Sequence, residues 1–331
     1  MNTQFCRSCV PTRRFAGVFK QALSRALLLG LAFPLAAVAA DFYVFTSFRG
    51  NGEDGLHLAL STNGYHWQAL KGDRSFLKPE IGGYKLMRDP CLARGTDGTF
   101  HLVWTTGWTA DKGRVIGYAN SKDLIQWSAQ RGIELMKEEP TVRNLWAPEL
   151  FYDRAAQRWL IFWSSTIPGR FANTDQTGDD GYNHRIYAVT TPDFETFSPS
   201  KLLFDPGFNV IDATLLASRG KYYLILKDER KNPAKKNLRY AIADKPDGPF
   251  GPPSEPFTGD WVEGPSAIKI KDEYLVYFDH YTNPHYYGAV RSKDLKRWED
   301  CSKEMNFPPG HRHGTVVQVP EQVAWGLMKI E

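Results

Sequence analysis

Beyond residue 40 the chain alternates short apolar runs with polar turns and shows no convincing 3.6-residue helical period. FHLVWTT at 100–106, WLIFWSS at 159–165, YYLILK at 222–227 and YLVYFD at 274–279 are aromatic and β-branched. Turn signals such as Asp97-Gly98 and Arg219-Gly220 precede them, so each reads as a strand of a hairpin. A second set of runs, LHLAL, VIGYA, RIYAV, LRYAI and YGAV, leads each time into a related polar turn: STNGYHW at 61, SKDLIQW at 121, TPDFETF at 191, the degenerate ADKPDGPF at 243, and SKDLKRW at 292. Successive copies start 60, 70, 52 and 49 residues apart, the spacing of propeller blades rather than of a helical solenoid.

The pattern predicts an all-β five-bladed β-propeller, with about four strands per blade. The repeated heptad is then the turn into each outermost strand, its Ser and Asp side chains capping the turn. The first unit is short of an inner strand, because FYVF at 42–45 runs directly towards LHLAL. HGTVVQV at 313–319 can supply it, so that pairing of N- and C-terminal strands closes the ring and removes its open edges.

Charge changes meaning once the first 40 residues are set apart. Arg13, Arg14, Lys20 and Arg25 precede an apolar run from Ala26 to Ala40, the pattern of a cleavable export signal with cleavage near Asp41. The run is short for a membrane span, and the Arg pair in TRRF hints at a twin-arginine route. The formal charge of the full chain is +4, but this segment holds five Lys/Arg and no acid, which leaves 36 basic and 37 acidic residues in 41–331. A nucleic-acid partner is therefore disfavoured. The expected product is one propeller domain over 41–331, periplasmic or secreted, monomeric and off the membrane once the signal is cleaved. Only Cys91 and Cys301 remain in it, read as two separate buried thiols in preference to a disulfide, and no Cys spacing suggests zinc.

Candidate chemistry lies where inner strands begin. Asp89 in MRDPCLAR, Asp212 in VIDATLLA and Glu263 in WVEGPSAIK each enter an apolar strand, one per blade, at what reads as the same phase of three repeats. Each alone has a plain structural use, as a turn or a strand cap. Together they would point into one central cavity. Two carboxylates spaced for a water suit an inverting glycosidase, one protonating the leaving oxygen and the other activating the water. Glu53 and Asp54 in the Gly-rich GNGEDG stretch compete as acids but read as loop residues.

Asp-Pro, Trp-Ala-Pro-Glu, Ile-Asp and Glu-Gly-Pro occur in that order over about Phe42 to Lys329, and the chain thereby resembles glycoside hydrolase family 43. The resemblance implies a five-bladed enzyme acting on arabinose- or xylose-containing glycans, with Asp89 as general base, Asp212 tuning and orienting the acid, and Glu263 as general acid. It departs from the family's pattern at Ala213-Thr214 and in the partial blade that precedes Asp89. On this reading Glu263 should be the most buried of the three, close to Asp212, with a raised pKa, while Asp89 stays ionised. Arg88 should point to the opposite face of its strand.

The resemblance also implies that Trp146 lines the sugar pocket; Trp108 is a second candidate wall, and His313 is a candidate binding residue. In the family a His at this place reaches an axial calcium or water, so a structural calcium on His313 is an option, although the chemistry itself requires no cofactor. Glu149 reads as structurally paired, and KDER at 227–230 as a solvated loop from which Arg230 could reach the cavity. The polar stretch 167–184 reads as a substrate-side lid, since its Asp175, Asp179 and Asp180 do not fit a calcium loop. The expected partner is an oligo- or polysaccharide and the expected activity an exo-acting α-L-arabinofuranosidase, with β-D-galactofuranosidase or β-xylosidase next. A noncatalytic carbohydrate-binding propeller is the reading from a different class.

Overall fold

A computed structural model describes residues 41–109 and 114–331; the expected signal, residues 1–40, lies outside the described residues. Five antiparallel sheets follow one another along the chain. Blade one combines β1 (Phe42–Ser47), β2 (His57–Ser61) and β3 (Gln68–Ala69) with the last strand, β19 (Val316–Val319). Blade two is β4 (Arg88–Arg94), β5 (Phe100–Thr105), β6 (Val115–Ser121) and β7 (Arg131–Glu134), and blade three is β8 (Trp146–Asp153), β9 (Arg158–Ser165), β10 (Arg185–Thr191) and β11 (Lys201–Phe204). Blade four has β12 (Val210–Ser218), β13 (Lys221–Asp228) and β14 (Asn237–Ala243); blade five has β15 (Val262–Ile270), β16 (Glu273–His280), β17 (Tyr286–Ser292) and β18 (Glu299–Asp300). The expected closure is observed: β19 pairs with β1 from Phe42↔Val319 to Phe45↔Val316 and is the innermost strand of blade one.

The strands are apolar on both faces because each blade is packed between two others. Along β16, Leu275 and Tyr277 join a cluster with Phe45, Ala59 and Trp67 of blade one, while Tyr274, Val276 and Phe278 join Leu216, Ile225 and Leu238 of blade four. Three further clusters fill the remaining gaps around the ring. Cys91 and Cys301 are free and buried in two of these clusters, in line with separate thiols.

The heptad does what its side chains suggest. Ser121 Oγ accepts the backbone N–H groups of Asp123 and Leu124, and Asp123 Oδ1 those of Ile125 and Gln126. Ser292 and Asp294 repeat the arrangement before β18. The fourth heptad position is left-handed in all four good copies, Gly64, Leu124, Phe194 and Leu295 at φ 77°, 64°, 61° and 62°. Such backbone is costly for Leu or Phe, and burial of those three side chains at 0–1 % exposure offsets it. At Gly64 a Cβ would lie 2.3 Å from Ile270 Cδ1 and 2.8 Å from the Tyr277 hydroxyl, so a side chain there would displace both.

Two local expectations need correcting. Among the described residues blade four has no fourth ladder strand; its degenerate turn is followed by GPPSEPF, whose Gly251, Ser254 and Phe257 amides bond to the carbonyls of Ile242, Tyr240 and Leu238. The prolines have no N–H to continue a ladder but still cover the edge of β14. A helix, α1 (Glu321–Met328), follows β19 and buries Ala324 and Leu327 against blades one and two. Eight residues give only two turns of periodicity, too few to stand out in the sequence.

Candidate active site

The inner strands of blades two to five share one irregularity. Ladder register shifts between Arg88 and Cys91, Trp146 and Glu149, Ile211 and Thr214, and Glu263 and Ser266. The residue inside each bulge is left-handed: Asp89, Ala147, Asp212 and Gly264, at φ 50°, 47°, 52° and 57°. A bulge suspends strict alternation and re-aims side chains, so neighbours on the same strand can both face the axis.

Asp89 and Asp212 therefore share a phase, but Glu263 sits one residue earlier, in phase with Arg88, Trp146 and Ile211. This corrects the expectation of three acids in one register. Its cause is visible at Gly264, where a Cβ would lie 2.3 Å from the His313 ring. The imidazole occupies the space that the fourth bulge side chain would need, and the acid moves up the strand.

His313 is buried on the axis. Its Nδ1 is 3.3 Å from Asp89 Oδ1 and 3.9 Å from Asp212 Oδ2. Burial alone would lower the imidazole pKa, yet Asp89, Asp212 and Glu149 push it up to about 9. The imidazolium, with Arg88 and a hydrogen bond from Thr105 Oγ1 at 2.8 Å, outweighs burial at Asp89 and holds its carboxyl near 2. Asp89 is thus ionised, as expected. Arg88 does not point away: its guanidinium lies 4.2 Å from the Trp108 ring centroid and 4.7 Å from that of Phe48.

Asp212 accepts the Gly264 amide at 3.2 Å, and its own amide donates to Ser164 Oγ at 3.1 Å. Burial, reinforced by Glu263 and Asp89, outweighs His313 and Lys227 and raises Asp212 to about 7. At Glu263 burial is itself outweighed: Lys227 Nζ donates to Oε2 at 3.0 Å and Arg312 lies 3.6 Å from Oε1, so this carboxyl is held below its ordinary value. The raised pKa therefore belongs to Asp212, not Glu263. Nor is Glu263 the most buried acid, its side chain being 20 % exposed against 12 % for Asp89 and 9 % for Asp212. Its earlier position on β15 brings it towards the mouth, where a substrate can reach it.

Lys227, expected in a solvated loop, is instead buried. β13 runs on through Asp228, and the pairing Ile211↔Lys227 turns Lys227 towards the axis, buried between Glu263 and Glu229. KDER is therefore not a solvated loop, and Arg230 pairs with Asp228 and lies on Phe208 instead of reaching the cavity. A usable signal existed. Thr105, Ser164, Lys227 and Asp279 are the residues opposite the bulge entrances, each a polar group closing an aromatic or aliphatic strand.

Trp146 faces the site. Its Nε1 donates to the Trp108 carbonyl at 3.0 Å, and its ring meets Tyr182 and His184 at 4.7 and 5.1 Å. Those two residues end the stretch 167–184, which joins β9 to β10 on the site face. Asp179 of that stretch is tied to Lys236 and Lys231. Asp54 bonds His57 at 2.8 Å and stays in its loop. A cavity of about 870 Å³ lined by His285, Tyr287, Phe307 and His311 lies beside blade five, and none of the three acids lines it.

Glu149 is buried below the site, Oε2 accepting from Thr214 Oγ1 at 3.0 Å and Oε1 from Thr315 Oγ1 at 3.4 Å, a structural pairing as expected. Around His313 the Nδ1 faces Asp89 and Glu149 is engaged by two threonines, and among the described residues no group of three or more His, Cys, Asp or Glu is placed to hold a metal ion. Burial pushes Glu149 from 4.5 up to about 7, so it favours folding below its unfolded pKa and loses that contribution as pH rises through 7. Glu149→Gln keeps both threonine partners. It is expected to leave stability nearly unchanged at pH 4 and to raise it at pH 8 by up to about 3 kcal/mol, read from denaturant midpoints at the two pH values.

A ring of five blades with a buried carboxyl cluster and an aromatic rim defines a propeller glycosidase domain. Residues 39–323 match the family 43-related group described as "Probable glycosyl hydrolase domain", and the chain belongs to that family. An α-L-arabinofuranosidase of Bifidobacterium longum subsp. longum is 24 % identical over 86 % of this chain, which spans 31 % of that protein. Among solved structures, an α-L-arabinofuranosidase from Lactobacillus brevis aligns with TM-score 0.52 at 18 % identity, covering 66 % of this chain and 73 % of that one. An exo-β-1,3-galactanase from Clostridium thermocellum aligns with TM-score 0.50 at 16 % identity, over 64 % and 47 %. At these identities the structural likeness speaks to fold alone.

Proposed function

We propose that this glycosidase is an exported, inverting, exo-acting α-L-arabinofuranosidase. The observation that carries the reaction class is the division of protonation within one cluster: Asp89 held ionised near 2 by His313, and Asp212 raised to about 7 beside Glu263. Groups driven apart in this way suit a base and an acid working at one pH. The 24 % identical arabinofuranosidase supports the sugar, and the basic and apolar residues 1–40 support export.

Asp89 takes a proton from a water, whose oxygen adds to the anomeric carbon. The bond from that carbon to the glycosidic oxygen breaks on the opposite face, and Glu263 delivers its proton to the departing oxygen. Asp212 is a positioning residue: it holds a proton up to about pH 7, and once it ionises its negative charge favours the protonated form of Glu263. Lys227 then stabilises the carboxylate left by proton transfer. At the axis, the His313 imidazolium supplies the positive charge that a calcium would bring, and the mechanism calls for no cofactor.

Chromogenic α-L-arabinofuranosides, β-D-galactofuranosides and β-D-xylosides, incubated with wild-type protein and a Glu263→Gln control, test the reading. Arabinofuranoside hydrolysis is expected, with kcat/KM falling as pH rises through about 7 and product released with inverted anomeric configuration by NMR. Turnover of another sugar would move the specificity. No hydrolysis above the control would leave only a carbohydrate-binding propeller.

A further inference from the structure

Trp261 has no role in the reaction as described, and its setting is unusual. It is 42 % exposed and left-handed at φ 64°, immediately before β15. Elsewhere a large apolar side chain in that conformation is compensated by burial, as at Phe194, which is 1 % exposed. No such burial compensates Trp261, and an uncompensated outlier for a bulky residue points towards a use.

Position supplies the use. The acids lie at the entrances of the inner strands, and the strands antiparallel to them end on the same face, Asp279 of β16 pairing with Glu263. Trp261 precedes Glu263 by two residues, further out on that face, and Tyr281 follows the end of β16. The Trp261 ring meets the Tyr281 ring edge-on at 6.3 Å; Lys227 Nζ lies 4.5 Å from the Tyr281 centroid and 3.0 Å from Glu263 Oε2. A continuous wall thus runs from the proton donor to an open indole. On the Asp89 side Arg88 stacks over the Trp108 ring, which remains 39 % exposed.

We propose that Trp261 is the platform of a leaving-group subsite, stacking on the C–H face of the sugar ring that departs with the glycosidic oxygen. This rests on Glu263 being the proton donor. The departing group is bonded to the oxygen that Glu263 protonates, so it must lie on the Glu263 side, where Trp261, two residues from the acid, is 42 % exposed. The substrate class is then a terminal sugar carried by another sugar, not by a small alcohol.

Glycosyl fluoride and oligosaccharide substrates separate the outcomes, because fluoride leaves no ring to stack. Trp261→Ala is expected to lower kcat/KM about tenfold on α-1,5-arabino-oligosaccharides, mainly through KM. Its turnover of α-L-arabinofuranosyl fluoride should stay within about twofold of wild type, and Trp261→Phe should recover most of the loss. An equal loss on the fluoride, or none on the oligosaccharide, overturns the subsite while leaving Glu263 in place. Calorimetric titration of α-1,5-arabino- and β-1,3-galacto-oligosaccharides into Glu263→Gln protein, with and without Trp261→Ala, reads the subsite without turnover. Weaker binding in the double variant supports it even if hydrolysis fails, whereas equal or absent binding of both sugars removes it.

Discussion

Glu263→Gln should fold normally and hydrolyse an unactivated arabinoside on the order of 10³-fold more slowly than wild type. The amide oxygen can still accept from Lys227, and Lys227 keeps Glu229 at 2.8 Å, so no buried cation is left without a partner. What disappears is the proton for the departing oxygen. The deficit should consequently shrink as the leaving group improves and be smallest for the fluoride, whose departure needs little protonation. Initial rates across a leaving-group series, with thermal melting as the folding control, check both parts. A uniform deficit across the series would place Glu263 outside the proton-donor role.

Asp89→Asn should cost a comparable factor, about 10³-fold, but independently of the leaving group, because activation of the water is needed whatever departs. Asn can still accept the Thr105 hydroxyl, so the bulge retains that contact. The negative charge facing His313 is lost, however, and with it the largest influence raising that imidazole. By NMR the His313 pKa should fall from about 9, a response that a merely loosened site would not give selectively. Near-normal turnover in this variant would remove Asp89 as base.

The two sets of results would test a site whose parts were unequally legible. Blade number, ring closure and the placement of the three acids at the starts of inner strands were readable because apolar runs and turns recur blade by blade. Arg88 and the phase of Glu263 were not, because alternation fails at a bulge and nothing local in Asp-Pro or Glu-Gly-Pro announces a register shift. Lys227 was hidden by its neighbours: KDER has the composition of a solvated turn, and only the pairing Ile211↔Lys227 turns the ammonium inward. Blade four misled for the reverse reason, since its prolines cover an edge without forming a strand.

The joining of first and last strands also sets an order of events. His313, which holds Asp89 ionised, stands three residues before β19, so it reaches the hub only with the segment that completes blade one. A nascent chain released before those residues emerge could stack four blades and still lack its central cation. Competence for bond cleavage and completion of the circle are thereby coupled, and unfinished or clipped polypeptides would be silent rather than merely slow.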